Sequence, residues 1–198
     1  MANIGKFDAS TAKFKGQSDL VVGQEMTDAE YTDTATLADV FATPKSLGQI
    51  VNGSTEWGGD EPSADNITDE QGDMIAATYT KGTNVISFSI ASFSQNILKE
   101  FMKAEDIAGA LGEDGIFGSN AKVVGMTELP ITTRGFLMAN DAADKCIVFP
   151  KAEIVASVEM RDGLWCVRGT ATAQYIKTKY LQTIMEIEGA NLQYEEGV

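Results

Sequence analysis

The sequence contains no histidine. That one absence removes Ser-His-Asp and Cys-His nucleophilic catalysis, helical two-histidine zinc sites and histidine general acid–base chemistry. Cysteine is almost as scarce: Cys146 and Cys166 are the only two, too few for a disulfide framework. Both lie in apolar, strand-like stretches and read as small buried hydrophobes, and a bond between them would need an oxidising compartment. Cations are outnumbered, with 15 Lys and Arg against 29 Asp and Glu and a formal net charge of −14. Surfaces that grip nucleic acid or anionic lipid do so with clustered Lys and Arg, so this balance speaks against both. No apolar run approaches the ~20 residues that span a bilayer. Residues 1–10, MANIGKFDAS, lack the basic-then-apolar layout of a secretion signal, so the expected setting is a cytoplasm.

What is present suits one domain. A chain of 198 residues with 43% hydrophobic and 22% charged content can bury a sizeable core. The clearest local signal is Asp162-Gly163, a two-residue hairpin turn. It sets Met160, Val158, Ala156 and Ile154 opposite Trp165, Val167, Gly169 and Ala171, an apolar or small face, while Glu153, Ser157, Glu159, Arg161, Arg168, Thr170 and Thr172 take the other. A slip of one residue would mix the two sets, so the register is well specified, and Ile154, Val158, Trp165 and Val167 are the expected core of this hairpin.

A second hairpin is expected to turn at Lys81-Gly82. Ile75, Ala77 and Tyr79 then share a core face with Asn84, Ile86, Phe88 and Ile90. The opposite face, which includes Thr78, Thr80, Ser87 and Ser89, is small, rich in hydroxyls and uncharged. Further strands are expected over 49–57, 122–128, 134–139, 146–149 and 181–188. One helix is expected near 94–108: Ile97, Leu98, Phe101 and Met102 form an apolar stripe, Ser94 alone or Ser92 with Gln95 can cap the start, and Gly109 and Gly112 end it. Residues 58–73, GGDEPSADNITDEQGD, read as an acidic loop. The resulting fold class is α+β, mainly β: an antiparallel β-sandwich or open barrel with one flanking helix over 47–198, preceded by an N-terminal arm or extended segment over 1–46.

The chemistry-bearing patterns are weak. Asp60, Asp65, Asp69 and Asp73 could offer oxygens to a cation, but their spacing is not that of a calcium-binding loop. The glycine-rich stretch 109–118 lacks the Gly-Lys-Ser/Thr ending of a phosphate loop. Trp57 and Trp165 read as core or interface anchors. No catalytic constellation emerges, so neither an enzyme nor a cofactor or metal is expected.

Two stretches carry a family resemblance. TKGTNVISFSI (80–90) followed by SQNILKEF (94–101) resembles the hairpin-then-helix signature of phage major tail tube proteins, and FPKAEIVASVEMRDGLWCVRGTATA (149–173) is similar to that family's C-terminal hairpin. The resemblance covers roughly residues 48–173 and leaves 9–46 unaligned. It implies a tail-tube-like β-sandwich that forms hexameric rings, stacked into the tube of a long-tailed phage, through which the genome passes without specific binding. The partners it implies are other copies of the chain and other tail proteins at the tube's ends, with no membrane. The implied location is the virion tail, assembled in the host cytoplasm. Within that frame Thr78, Thr80, Ser87 and Ser89 are candidates for the lumen wall. Trp57, Asp60, Asp65 and Asp69 are candidates for the ring-stacking loop. The competing readings are another virion component, such as a decoration or tail-completion protein, and an acidic β-sandwich module that binds carbohydrate or metal.

Overall fold

The computed structural model of the chain describes residues 20–31, 36–48, 50–71, 73–91, 93–107, 123–126, 130–139, 145–176 and 185–188. In chain order the elements are β1 (Leu20–Glu25), α1 (Leu37–Val40), β2 (Lys45–Ser46), β3 (Glu56–Gly58), β4 (Ser63–Thr68), β5 (Met74–Thr80), β6 (Val85–Ile90), α2 (Gln95–Met102), β7 (Ala104–Asp106), β8 (Val124–Met126), β9 (Ile131–Ala139), β10 (Lys145–Arg161), β11 (Leu164–Ala173) and β12 (Met185–Glu188). The architecture is the expected one, mainly β with open antiparallel sheets and a flanking helix. Its principal sheet runs β2-β1-β9-β10-β11-β6-β3, with β12 added beside the first part of β10.

Alternation decides which side of this sheet is inside. Leu20, Val22, Ile86, Phe88, Ile90, Phe136, Met138, Phe149, Ile154 and Val167 point one way and form one continuous buried cluster. The sheet curls around that cluster. β6 and β9 are separated by β10 and β11, which in a flat sheet would hold them roughly 14 Å apart, yet the Phe88 and Phe136 rings stack at 5.4 Å between centroids. Phe149 adds a third ring 6.0 Å from Phe136. Gly169, opposite Phe88, makes the curl possible, because a side chain there would collide with the Phe88 ring.

Helix α2 closes the open side. Ser94 caps it, its hydroxyl accepting from the Ile97 N–H. Phe101 and Met102 are buried, and Ile97 and Leu98 pack against the same cluster, as the stripe predicts. The helix ends earlier than the glycines at 109 and 112 suggest. Lys103 takes a left-handed conformation (φ 46°), and the chain leaves directly as β7, paired with β8. Those glycines, Ser92 and the stretch 109–118 lie outside the described residues. Charge fastens the helix down: Glu100 accepts from Arg134 on β9 and from Lys45, and Glu25 also pairs with Arg134.

The long hairpin β10–β11 has the register that Asp162-Gly163 predicts: Met160 faces Trp165, Val158 faces Val167, Ala156 faces Gly169 and Ile154 faces Ala171. Both turn residues have positive φ, 51° and 80°, which an Asp-Gly pair tolerates. Two expectations need correction here. The strand over 146–149 is not separate but the start of β10, 17 residues long. Of the four expected core residues, Ile154 and Val167 are fully buried, whereas Val158 and Trp165 are 38% and 57% exposed. The strand pair outruns the body it packs on, so its far end has nothing above it among the described residues.

Within the stretch expected to be an arm, Leu20–Glu25 and Lys45–Ser46 belong to the sheet. Strand β1 pairs with β9 and β2, its first three residues are buried, and the single-turn helix α1 covers the other face through Leu37 and Phe41. Residues 1–19 lie outside the described residues.

Candidate assembly surface

The expected turn at Lys81-Gly82 does not exist. Strand β5 pairs with β4, and β6 pairs with β3 and β11. The partner numbers show what replaces it. Glu56 faces Ser87 and Gly58 faces Val85, and both pairs add to 143. Ser63 faces Thr80 and Ile67 faces Ala76, which again add to 143. Between them the Thr83 N–H donates to the Asp60 carbonyl at 3.0 Å, and 83 and 60 keep the same sum. Residues 56–90 therefore form one long hairpin, pinched in the middle, that keeps a single register until a bulge at Ile67–Thr68. Its turn is at 69–73, where the Asp69 carboxylate accepts from the backbone N–H groups of Gln71 and Asp73. Gly82 serves close approach rather than reversal: a β-carbon there would strike the Asp60 carbonyl and Pro62. Gly59, at φ +137°, lies as close to the Thr83 carbonyl.

The inner half of this hairpin, β3 and β6, belongs to the principal sheet. The outer half, β4 and β5, is an arm with nothing on either face among the described residues. Ile75 and Tyr79, expected in the core, are 68% and 78% exposed. On one face of the arm stand Ala64, Asn66, Ile75, Ala77 and Tyr79, all uncharged; on the other stand Asp65, Ile67, Thr78 and Thr80. From 58 to 80 the arm carries six acids, Asp60, Glu61, Asp65, Asp69, Glu70 and Asp73, and no cation. The stretch read as an acidic loop thus contains a strand, Ser63–Thr68, between the pinch and the turn. The four stacking-loop candidates all lie on this hairpin: Trp57 on β3 and half exposed, Asp60 at the pinch, Asp65 on β4 and Asp69 in the turn.

The four lumen-wall candidates do not form one surface. Thr78 and Thr80 are on the arm. Ser87 and Ser89 are on β6, facing away from the core, alongside Ser157, Arg168 and Thr170. Ser87 and Thr170 hydroxyls lie 3.5 Å apart. Ser89 is buried: its hydroxyl donates to Glu159, and its N–H donates to the Ser54 hydroxyl. That leaves an outer face of the principal sheet built from Glu153, Val155, Ser157, Arg168, Thr170, Thr172 and Ser87, which is partly or largely exposed.

A second exposed apolar group escaped the sequence reading. At the end of β10–β11, Met160, Leu164 and Trp165 are each more than half exposed, and the Phe93 ring lies 6.2 Å from that of Trp165. Its signal was in the sequence, since the apolar alternation of this hairpin continues to the turn itself.

Neither cysteine is a reactive group. Both are free and buried, and burial pushes both thiols above their ordinary range, with the Glu159 charge adding to the effect at Cys166. Among the described residues no group of three or more Asp, Glu, Cys or His is placed to hold a metal ion, and no helix is long and apolar enough to cross a membrane. Compared with known proteins, the chain matches no family model and no curated sequence.

Proposed function

We propose that the protein is a non-enzymatic structural subunit that assembles with copies of itself, and that the assembly is the tail tube of a long-tailed phage, built from stacked rings. The observation that carries the reading is the arm. A two-stranded hairpin alone in water is marginal at best. This one keeps the register of the core as far as a bulge at Ile67–Thr68 and offers an uncharged face with Ile75 and Tyr79 to solvent. Such a face suits a strand pair that another molecule covers. The open edges of the principal sheet point the same way, because pairing them around a closed ring would remove an aggregation hazard.

In this reading the outer face of the principal sheet lines the pore. Ser87, Ser157, Thr170 and Thr172 would form a wall with few cationic anchors, and the surplus of carboxylates would repel a passing polyanion. The tube would be built in the host cytoplasm and reside in the virion, meeting other tail proteins only at its ends. Electron microscopy of the purified chain at rising concentration tests this. Long hollow rods are expected. A chain that stays monomeric throughout, or a rod whose pore is lined by Lys and Arg, would overturn it.

A further inference from the structure

The arm and the exposed end of β10–β11 lie at opposite ends of the same sheet. Strand β6 begins at Val85 beside Thr172 and finishes at Ile90 beside Val167. The arm leaves from the Val85 end. The Asp162-Gly163 tip lies beyond the Ile90 end, with six residues of strand, roughly 20 Å, between them. The arm of a copy therefore points away from its own tip, and a contact between the two features joins separate copies head to tail, leaving an arm and a tip free for further copies.

The two surfaces match in chemistry. The arm offers Ile75, Ala77 and Tyr79 with no charge among them. The tip offers Met160 and Trp165 from paired positions on the core-facing side, with Val158 behind and Phe93 alongside. Around its uncharged face the arm is purely anionic, so it needs a cationic landing place on a molecule that is itself strongly acidic. Among the described residues Lys45, Lys99, Lys103, Arg134 and Lys151 each pair with a carboxylate of their own chain. Arg161, next to the Asp162-Gly163 turn, does not: it donates to the Gly53 carbonyl. Arg168 stands back on the outer face beside Ser157 and Ser89, away from the tip, and Lys81, at the base of the arm, lies over the Tyr175 ring. The tip thus combines exposed apolar side chains with one neighbouring cation that no carboxylate of its own chain neutralises among the described residues.

We propose that the uncharged face of the arm docks on the Met160–Trp165 tip of a second copy, with the arm's carboxylates reaching Arg161 at the edge of that tip. The proposal rests on the self-assembly reading and names the surface that receives the arm.

Cross-linking tests it. One preparation carries Tyr79→Cys, a second carries Met160→Cys, and the two are mixed and treated with a short bismaleimide. The native cysteines are buried and stay silent. Dimers joining one copy of each variant are expected, well above the yield from either variant alone. In parallel, Trp165→Asp should raise the concentration needed for assembly by about tenfold or more, with the circular dichroism and unfolding midpoint of the monomer unchanged. If the parent chain assembles, yet the cross-link fails and Trp165→Asp assembles like the parent, the arm docks elsewhere and the proposal is wrong. If the parent chain never assembles, the self-assembly reading itself falls and takes the proposal with it.

Discussion

The two long hairpins begin alike and end alike. Both start inside the core, β10–β11 at Ile154 and Ala171 and the 56–90 hairpin at Ile86 and Phe88. Both run out of it in register, one to Trp165 and the other to Tyr79, but only the first keeps its apolar alternation; in the second the apolar residues change from the even positions Ile86 and Phe88 to the odd positions Ile75 and Tyr79 across the pinch. Yet Ile86 and Ile75 have the same side chain on the same continuous strand pair, and one is fully buried while the other is two-thirds exposed. Alternation of apolar and polar residues states which side of a strand seeks cover. Whether the chain itself supplies that cover is a separate matter, decided by how far the body of the fold extends.

The comparison can be broken by substitution. Phe88→Ala should be the most damaging change, because it removes one end of the aromatic stack and leaves Gly169 bare. A loss of about 3–5 kcal/mol is expected from urea unfolding of the monomer. Ile86→Ala should cost about 2–5 kcal/mol, whereas Ile75→Ala, one strand segment away, should stay within about 0.5 kcal/mol. Equal losses at the two positions would mean that the arm is covered in the monomer. Asp69→Ala removes the acceptor for two backbone N–H groups in the arm's turn. It should cost on the order of 1 kcal/mol locally, read as faster amide exchange over β4 and β5 with β6 unchanged.

The smallest effect concerns the body alone. Burial would raise the Glu100 carboxyl, but hydrogen bonds and charge from Arg134 and Lys45 outweigh it and hold the pKa below the ordinary glutamate range. The unfolded chain then takes up the proton first. The contribution is complete above the unfolded glutamate pKa and fades as pH falls through it toward the folded value. Unfolding curves of the monomer between neutral and mildly acidic pH should show this decline. Replacement by glutamine should flatten that part of the slope, while amide exchange in the arm keeps its pH profile.

How much could be read beforehand follows the same division. The β10–β11 register was legible because Asp162-Gly163 fixes it through local turn chemistry, and the helix was legible because its stripe and Ser94 cap are local as well. The Lys81-Gly82 turn misled because a glycine serves two ends: here it lets two backbone segments approach, and the reversal is made by Asp69, hidden in a run of acids. Strand β1 went unread because Leu20-Val21-Val22 is a short apolar run buried on both faces, without alternation. The lumen candidates were grouped on one face only through the false turn, which is why Thr78 and Thr80 part from Ser87 and Ser89. The stacking candidates do share one hairpin, but the apolar residues that give it a sticky side, Ile75 and Tyr79, had been assigned to the interior.

Strand β10 has a mechanical consequence. At roughly 3.3 Å per residue it is about 55 Å of backbone along its contour, interrupted by one bulge between Phe149 and Ala152 and flanked by β9 on one side and by β12 and then β11 on the other. A tug between its two ends loads the flanking hydrogen bonds in shear, all at once, instead of peeling them one after another. Tension entering at Trp165 would therefore be shared across the breadth of the sheet, and the element that yields first under load should be the pinched arm at Gly59 and Gly82.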